Sequence, residues 1–150
     1  MIANVELRRV DPSNRDYLQL ADALDTYYFE VVGPIQAEYA EVNRAENFAC
    51  RIVAYVGKEI LGCGCWKAVD AQTGEIKRMY VLPKHRRKGV ASAIIHALET
   101  DIYRSGRKRI ILETARTTLE SAAFYRSVGY QEAEYYGSPA GAENCRCFEK

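Results

Sequence analysis

The residues best suited to chemistry begin with the run Lys84-His85-Arg86-Arg87-Lys88-Gly89-Val90-Ala91, a basic stretch that turns into helical spacing at Gly89. The first backbone N–H groups of a helix lack partners and sit at the positive end of its dipole, so an anion fits there. Gly89 has no side chain to hold a phosphate away, and Ala91 is nearly as small. Arg86, Arg87 and Lys88 can add charge-assisted hydrogen bonds. Chemically this is a seat for a phosphate or pyrophosphate. The alternative readings are a solvated basic turn or a patch for nucleic acid. Farther along, Tyr125 is either a core tyrosine with a satisfied hydroxyl or a proton donor. Glu75 and Glu113 lie on strand-like runs, each as an exposed strand charge or as a general base. The pairs Cys63/Cys65 and Cys145/Cys147 invite a zinc reading, but both fall in strand-like runs without a knuckle turn, so no metal is expected.

These groups need elements to hold them. Met79, Tyr80, Val81 and Leu82 form the apolar end of a strand that Pro83 stops. Val90, Ala91, Ile94, Leu98 and Ile102 recur at three- and four-residue steps, the buried face of a helix ending near Ser105-Gly106. On that helix His96 faces solvent, and neither it nor His85 is assigned a role. Upstream, Val5 to Val10 alternates as a first strand, and Asp11-Pro12-Ser13 suits a helix start. A helix follows from about Asn14 to Val32, broken by Gly33-Pro34, with Ile35 to Arg44 read as a second. Phe48 to Val56 and Glu59 to Val69 are strands joined at Gly57-Lys58. The small-residue run Gly62-Cys63-Gly64-Cys65-Trp66 marks a close approach by another element. Asp70 to Gly74 is a turn into the central strand. Ile110 to Leu112 is continuously apolar, as in a strand covered on both faces. Leu119 to Val128 is a short helix, and Tyr130 to Tyr136 and Asn144 to Glu149 are the final strands. One mixed α/β domain over residues 1–150 follows.

Arg86-Arg87-Lys88-Gly89-Val90-Ala91 resembles the Arg/Gln-x-x-Gly-x-Gly/Ala loop of the GNAT superfamily of N-acetyltransferases. A second stretch, Thr118 to Tyr130 with Phe124-Tyr125 and Gly129-Tyr130, is similar to that family's other signature. Thr118 stands where Asn is common there, and Ser121 where Ala is common. The resemblance covers Phe48 to the C-terminus; before that only the strand–helix–helix order agrees. It implies a central, mostly antiparallel twisted sheet of six to seven strands, strands four and five splayed, with helices on both faces. It also implies acetyl-coenzyme A as acetyl donor, with Met79, Tyr80, Val81, Arg86, Arg87, Lys88, Gly89, Val90, Ala91, Ser92, Thr118, Ser121 and Tyr125 around it. Transfer to a primary amine of a small molecule or peptide would proceed by direct attack, with Tyr125 as general acid. A phenol, with its pKa of about 10, is protonated at neutral pH and can supply the leaving thiolate's proton. Glu75 and Glu113 are candidates for the base, directly or through water.

Composition narrows the alternatives. The 150 residues, 48% hydrophobic and 27% charged, suit one soluble domain. A formal net charge of +1 argues against a dedicated nucleic-acid binder. With no signal-like or spanning segment, a cytoplasmic protein without membrane or nucleic-acid partners is expected, as monomer or homodimer. The rivals are a cofactor-binding sensor without turnover and a nucleic-acid module using the basic loop. The region from Asn14 to Glu46 carries seven acidic residues against two basic ones, a local net of −5. Its first reading is a solvated face. The other is that Glu30, Glu38 and Glu41, with Tyr27, Tyr28 and Tyr39, favour a cationic acceptor.

Overall fold

In the computed structural model, residues 4–34, 40, 43–137 and 144–150 are described. Strands β1 (Glu6–Val10), β2 (Cys50–Val56), β3 (Glu59–Ala68), β4 (Thr73–Val81), β5 (Arg109–Ala115), β6 (Gln131–Ala133) and β7 (Cys145–Glu149) form one sheet in the order β1-β2-β3-β4-β5-β7-β6. Every pairing is antiparallel except the parallel β4–β5 pair. Helix α1 (Arg15–Val32) covers one face; α2 (Val90–Arg104) and α3 (Leu119–Ser127) pack on the other. The expected α/β architecture is present, with strand six much shorter than the run Tyr130 to Tyr136 suggested. Thr73 and Gly74 already belong to β4, so the turn before it is shorter than Asp70 to Gly74. The cap of α1 also lies later than expected: Asn14 accepts from the Tyr17 N–H at 2.9 Å, while Asp11 accepts from Ser13. Most of the second helix expected from Ile35 to Arg44 lies outside the described residues.

Packing explains the small-residue run in β3. Ile94, Leu98 and Ile102 of α2 are fully buried against the sheet, each worth about 1.5–3 kcal/mol of burial. A Cβ on Gly64 would lie 2.7 Å from Ile94 and 2.9 Å from Leu98. One on Gly62 would lie 2.5 Å from the Tyr80 carbonyl. Glycine therefore lets both α2 and β4 approach. On the opposite face Cys63 and Cys65 sit under Tyr17 and Leu20 of α1. Burial pushes the Cys63 thiol up to about 12. Strands β4 and β5 stand between this thiol pair and the one on β7, so the two pairs do not converge. Ile110, Ile111 and Leu112 are all buried, as a strand covered on both faces requires.

Candidate active site

The parallel ladder between β4 and β5 runs from Thr73/Arg109 to Ile76/Leu112 and stops, although both strands continue. Beyond that point β4 has a free lip on the β5 side. A second irregularity lies on the same strand. Cys65 pairs with Lys77 and Cys63 with Tyr80, so β4 carries one residue more than β3. That is a bulge, with Arg78 at φ 60. A non-glycine residue there costs about 1–2 kcal/mol. Arg78 is held by its own side chain, which donates to the Ala21 carbonyl at 3.0 Å and to Asp25 Oδ1 at 2.8 Å, both on α1. The bulge leaves Arg78 and Met79 without partners in the β3 register.

A cleft of about 840 Å³ opens from this lip, walled by α2, α3 and the aromatic end of α1. Its size is in the range of small-molecule sites. At the α2 end, Gly89 caps the helix at φ 84 with no side-chain bond. Among the described residues no acceptor takes the N–H groups of Val90, Ala91 and Ser92. Arg87 is also in the left-handed region, at φ 60. This is an open concavity of amide donors at a positive dipole end, suited to a diphosphate.

The cleft gathers Met79, Tyr80, Val81, Arg86, Arg87, Gly89, Val90, Ala91, Ser92, Thr118, Ser121 and Tyr125. Lys88 stands outside it, with Nζ donating to the Lys84 carbonyl at 3.2 Å. The loop's other cations are engaged as well. Arg86 donates to the Val81 carbonyl at 2.8 Å and lies over the Tyr27 and Tyr80 rings. Arg87 reaches across the cleft mouth to Glu120 at 3.0 Å, and Lys84 and His85 both meet Glu59. A run so occupied is a poor free basic patch, which weakens the nucleic-acid reading.

Tyr125 is buried among Phe124, Tyr130 and Phe148. Among the described residues nothing hydrogen-bonds its hydroxyl. Burial, and then the neighbouring Tyr28, hold the phenol above its usual value. Tyr28 is itself pushed up to about 12 by burial, with Tyr27, Cys145 and Glu113 adding to the rise.

Glu75 and Glu113 do not line the cleft; they lie at the crotch where the strands part. Glu75 is buried, not the exposed strand charge that its bland reading supposed. Its Oε2 accepts from the Tyr136 hydroxyl at 2.7 Å, and Lys77 and Lys67 flank the carboxylate at 3.9 Å each. Glu113 is half-buried, with no hydrogen bond or ion pair among the described residues. Of the proposed acidic wall, Glu30 is exposed, and Glu38, Tyr39 and Glu41 lie outside the described residues. Two of the region's acids serve structure, Asp16 accepting from Tyr55 at 2.6 Å and Asp25 holding Arg78. Sequence reasoning did not reach Arg78, Lys77 or Tyr136. Nothing local marks Arg78, since left-handed bulge positions are read from glycine.

Comparison with known proteins agrees with this geometry. The model of the acetyltransferase (GNAT) family matches residues 17–130. A relative, the uncharacterized N-acetyltransferase YsnE of Bacillus subtilis (strain 168), is 37% identical over 83 residues. That stretch is 54% of this chain and 55% of the relative, so the chain matches about half of that protein's length. The solved structure of a putative acyl-CoA N-acyltransferase from Klebsiella pneumoniae superposes with a TM-score of 0.81 at 21% identity, covering 99% of this chain and 98% of that one. A GNAT family acetyltransferase from Elizabethkingia anophelis, solved with acetyl-CoA bound, gives a TM-score of 0.74 at 12% identity, covering 99% and 98%. Both likenesses are of fold.

Proposed function

The chain belongs to the acetyltransferase (GNAT) family, and we propose that it transfers the acetyl group of acetyl-coenzyme A to a primary amine, donor and acceptor being bound together. The observation that carries this reading is the cleft. It joins a helix N-terminus without a side-chain cap, an unpaired strand lip and a buried phenol whose hydroxyl has no partner among the described residues. Acetyl-CoA bound to the Elizabethkingia anophelis protein, which shares the fold, supports the choice of donor.

Each part has a task. The amides of Val90, Ala91 and Ser92 receive the pyrophosphate, and Gly89 lets it approach. The lip from Met79 to Val81 bonds the pantetheine arm as an added strand would, facing Thr118 and Ser121. Negative charge developing on the acetyl oxygen meets the Met79 N–H, on the lip beyond the last β4–β5 pair. As the C–N bond forms and the C–S bond breaks, Tyr125 donates its proton to the leaving sulfur. Burial keeps the phenol protonated, so Tyr125 brings the proton to the reaction. As a weaker acid than the thiol it yields that proton only as the C–S bond breaks, and it regains one from solvent afterwards.

Of the two candidate bases, Glu113 is better placed to take the proton the amine loses. Its carboxylate has no partner among the described residues, whereas Glu75 is bracketed by Tyr136, Lys67 and Lys77. The acceptor is carried here only as far as an amine. Thiol release from acetyl-coenzyme A across an amine panel tests the reading. Titration of acetyl-coenzyme A against an oligonucleotide, with the cofactor alone binding, separates it from the nucleic-acid module. Tight cofactor binding with no thiol release for any amine would return the protein to a sensor.

A further inference from the structure

We infer that the acceptor is a zwitterion, a primary amine carrying a carboxylate nearby as in an amino acid, with Glu113 facing its amine and Lys77 and Lys67 its carboxylate. This rests on the acetyltransfer reading and deepens it.

The inference starts from the last β4–β5 pair, Ile76 with Leu112. The next residue on each strand is Lys77 on one lip and Glu113 on the other. Ile76 and Leu112 pack toward α2, so strand alternation turns both charged side chains to the opposite face. Had the ladder continued, the two would have paired across it. The splay holds them apart, and Glu75 alone faces both Lys77 and Lys67, which leaves a net positive charge on that side. Glu113 has no hydrogen bond or ion pair among the described residues. The Lys77 ammonium is 3.9 Å from Glu75, beyond hydrogen-bond reach. Lys67 comes from β3 to the same carboxylate, also at 3.9 Å. Two ammonium groups therefore share one carboxylate, one oxygen of which already accepts from Tyr136.

The crotch is thus neutral as a whole and split into two poles. A lone amine would answer Glu113 and leave the lysines unanswered. A polyamine would set its second charge against them. A zwitterion satisfies both. Gly137 closes on the Glu113 carboxylate: a Cβ on it would lie 3.0 Å from Glu113 Oε2 and 2.4 Å from the Tyr135 hydroxyl, so only glycine fits beside it. The site also borders the cleft, since Met79, two residues beyond Lys77 on β4, lines it.

The test uses the full chain saturated with coenzyme A, titrated with the twenty common amino acids and their carboxamides. At least one amino acid should bind, and its carboxamide about tenfold or more weakly, the scale of one charge-assisted bond. Lys77→Gln should erase that difference while coenzyme A affinity stays within about twofold, which also shows the variant is folded. Lys77→Arg should restore most of it. Carboxamides or diamines binding as well as the acids would overturn the inference, as would the absence of amino-acid binding to the loaded protein. Amino-acid binding without thiol release would overturn the transferase reading alone. Thiol release that prefers amines lacking a carboxylate would overturn this inference alone.

Discussion

The α2 end of the cleft is built from one continuous stretch, Val81 to Ser92, whereas the crotch beside it draws Lys67, Glu75, Glu113 and Tyr136 from four segments of the chain. Backbone does the work in the first: unpartnered amides, a left-handed glycine and a strand lip. Side chains do it in the second. Amide donors at a helix end recognise any diphosphate and tolerate most sequence changes around them. A side-chain site changes its ligand with each substitution. The comparison teaches that the donor end constrains a motif and the acceptor end constrains almost none. Arg78 links the two, holding the bulge at Met79 from α1, the helix that also supplies Leu24, Tyr27 and Tyr28 to the wall.

That division can be broken by changes at the acceptor end that leave the donor end intact. Glu113→Gln should lower turnover by about 10³-fold, within the range for a lost general base, with acetyl-coenzyme A affinity unchanged in a titration. Glu75→Gln should lower it less than about fivefold, because its oxygens are already committed. Equal losses in the two variants would reverse the assignment of the base. Tyr125→Phe keeps the ring and removes the proton, so turnover should fall by about 10²-fold with affinity held. A loss below threefold would make Tyr125 a core residue.

Arg78→Gly sharpens the comparison, since glycine accepts the bulge's φ while losing the tie to α1. Turnover should fall about tenfold at saturating donor, with donor affinity within about twofold. Wild-type turnover would mean that the bulge needs no anchor. The smallest effect is on stability. Cys63 sits on the face under α1, its thiol raised from 9.0 to about 12 by burial. A group raised in the folded state supports stability below its unfolded value and loses that support as pH rises through the folded one. Stability from urea unfolding should therefore decline between pH 9 and 12, and Cys63→Ala should flatten the decline by about 1 kcal/mol or more. A decline unchanged in Cys63→Ala would assign it to other groups.

The legibility of the sequence followed the same division. Gly89 and the basic loop announce the donor seat because their geometry is local, and the β3 glycines announce a close approach that Met79, Ile94 and Leu98 then make. Ile110 to Leu112 reads as a doubly covered strand because burial on both faces leaves no polar alternation. Arg78 carries no such mark: its left-handed conformation is imposed by a salt bridge to a helix more than fifty residues away. The placing of Lys77 and Glu113 on facing lips is equally silent, because it depends on where a parallel ladder stops. Tyr125 was legible as a residue, yet its free hydroxyl appears only once the packing of Phe124, Tyr130 and Phe148 is known.

The central claim is that the α2 N-terminus seats the donor's pyrophosphate. Titration of acetyl-coenzyme A into wild-type protein and Gly89→Asp tests it most directly. Aspartate is among the side chains that tolerate a positive φ, so the fold should persist while its carboxylate faces the phosphates. The account predicts saturable binding to wild type that weakens with salt, and a loss of about 100-fold or more in the variant at an unchanged melting temperature. Equal affinity in the two proteins would contradict it.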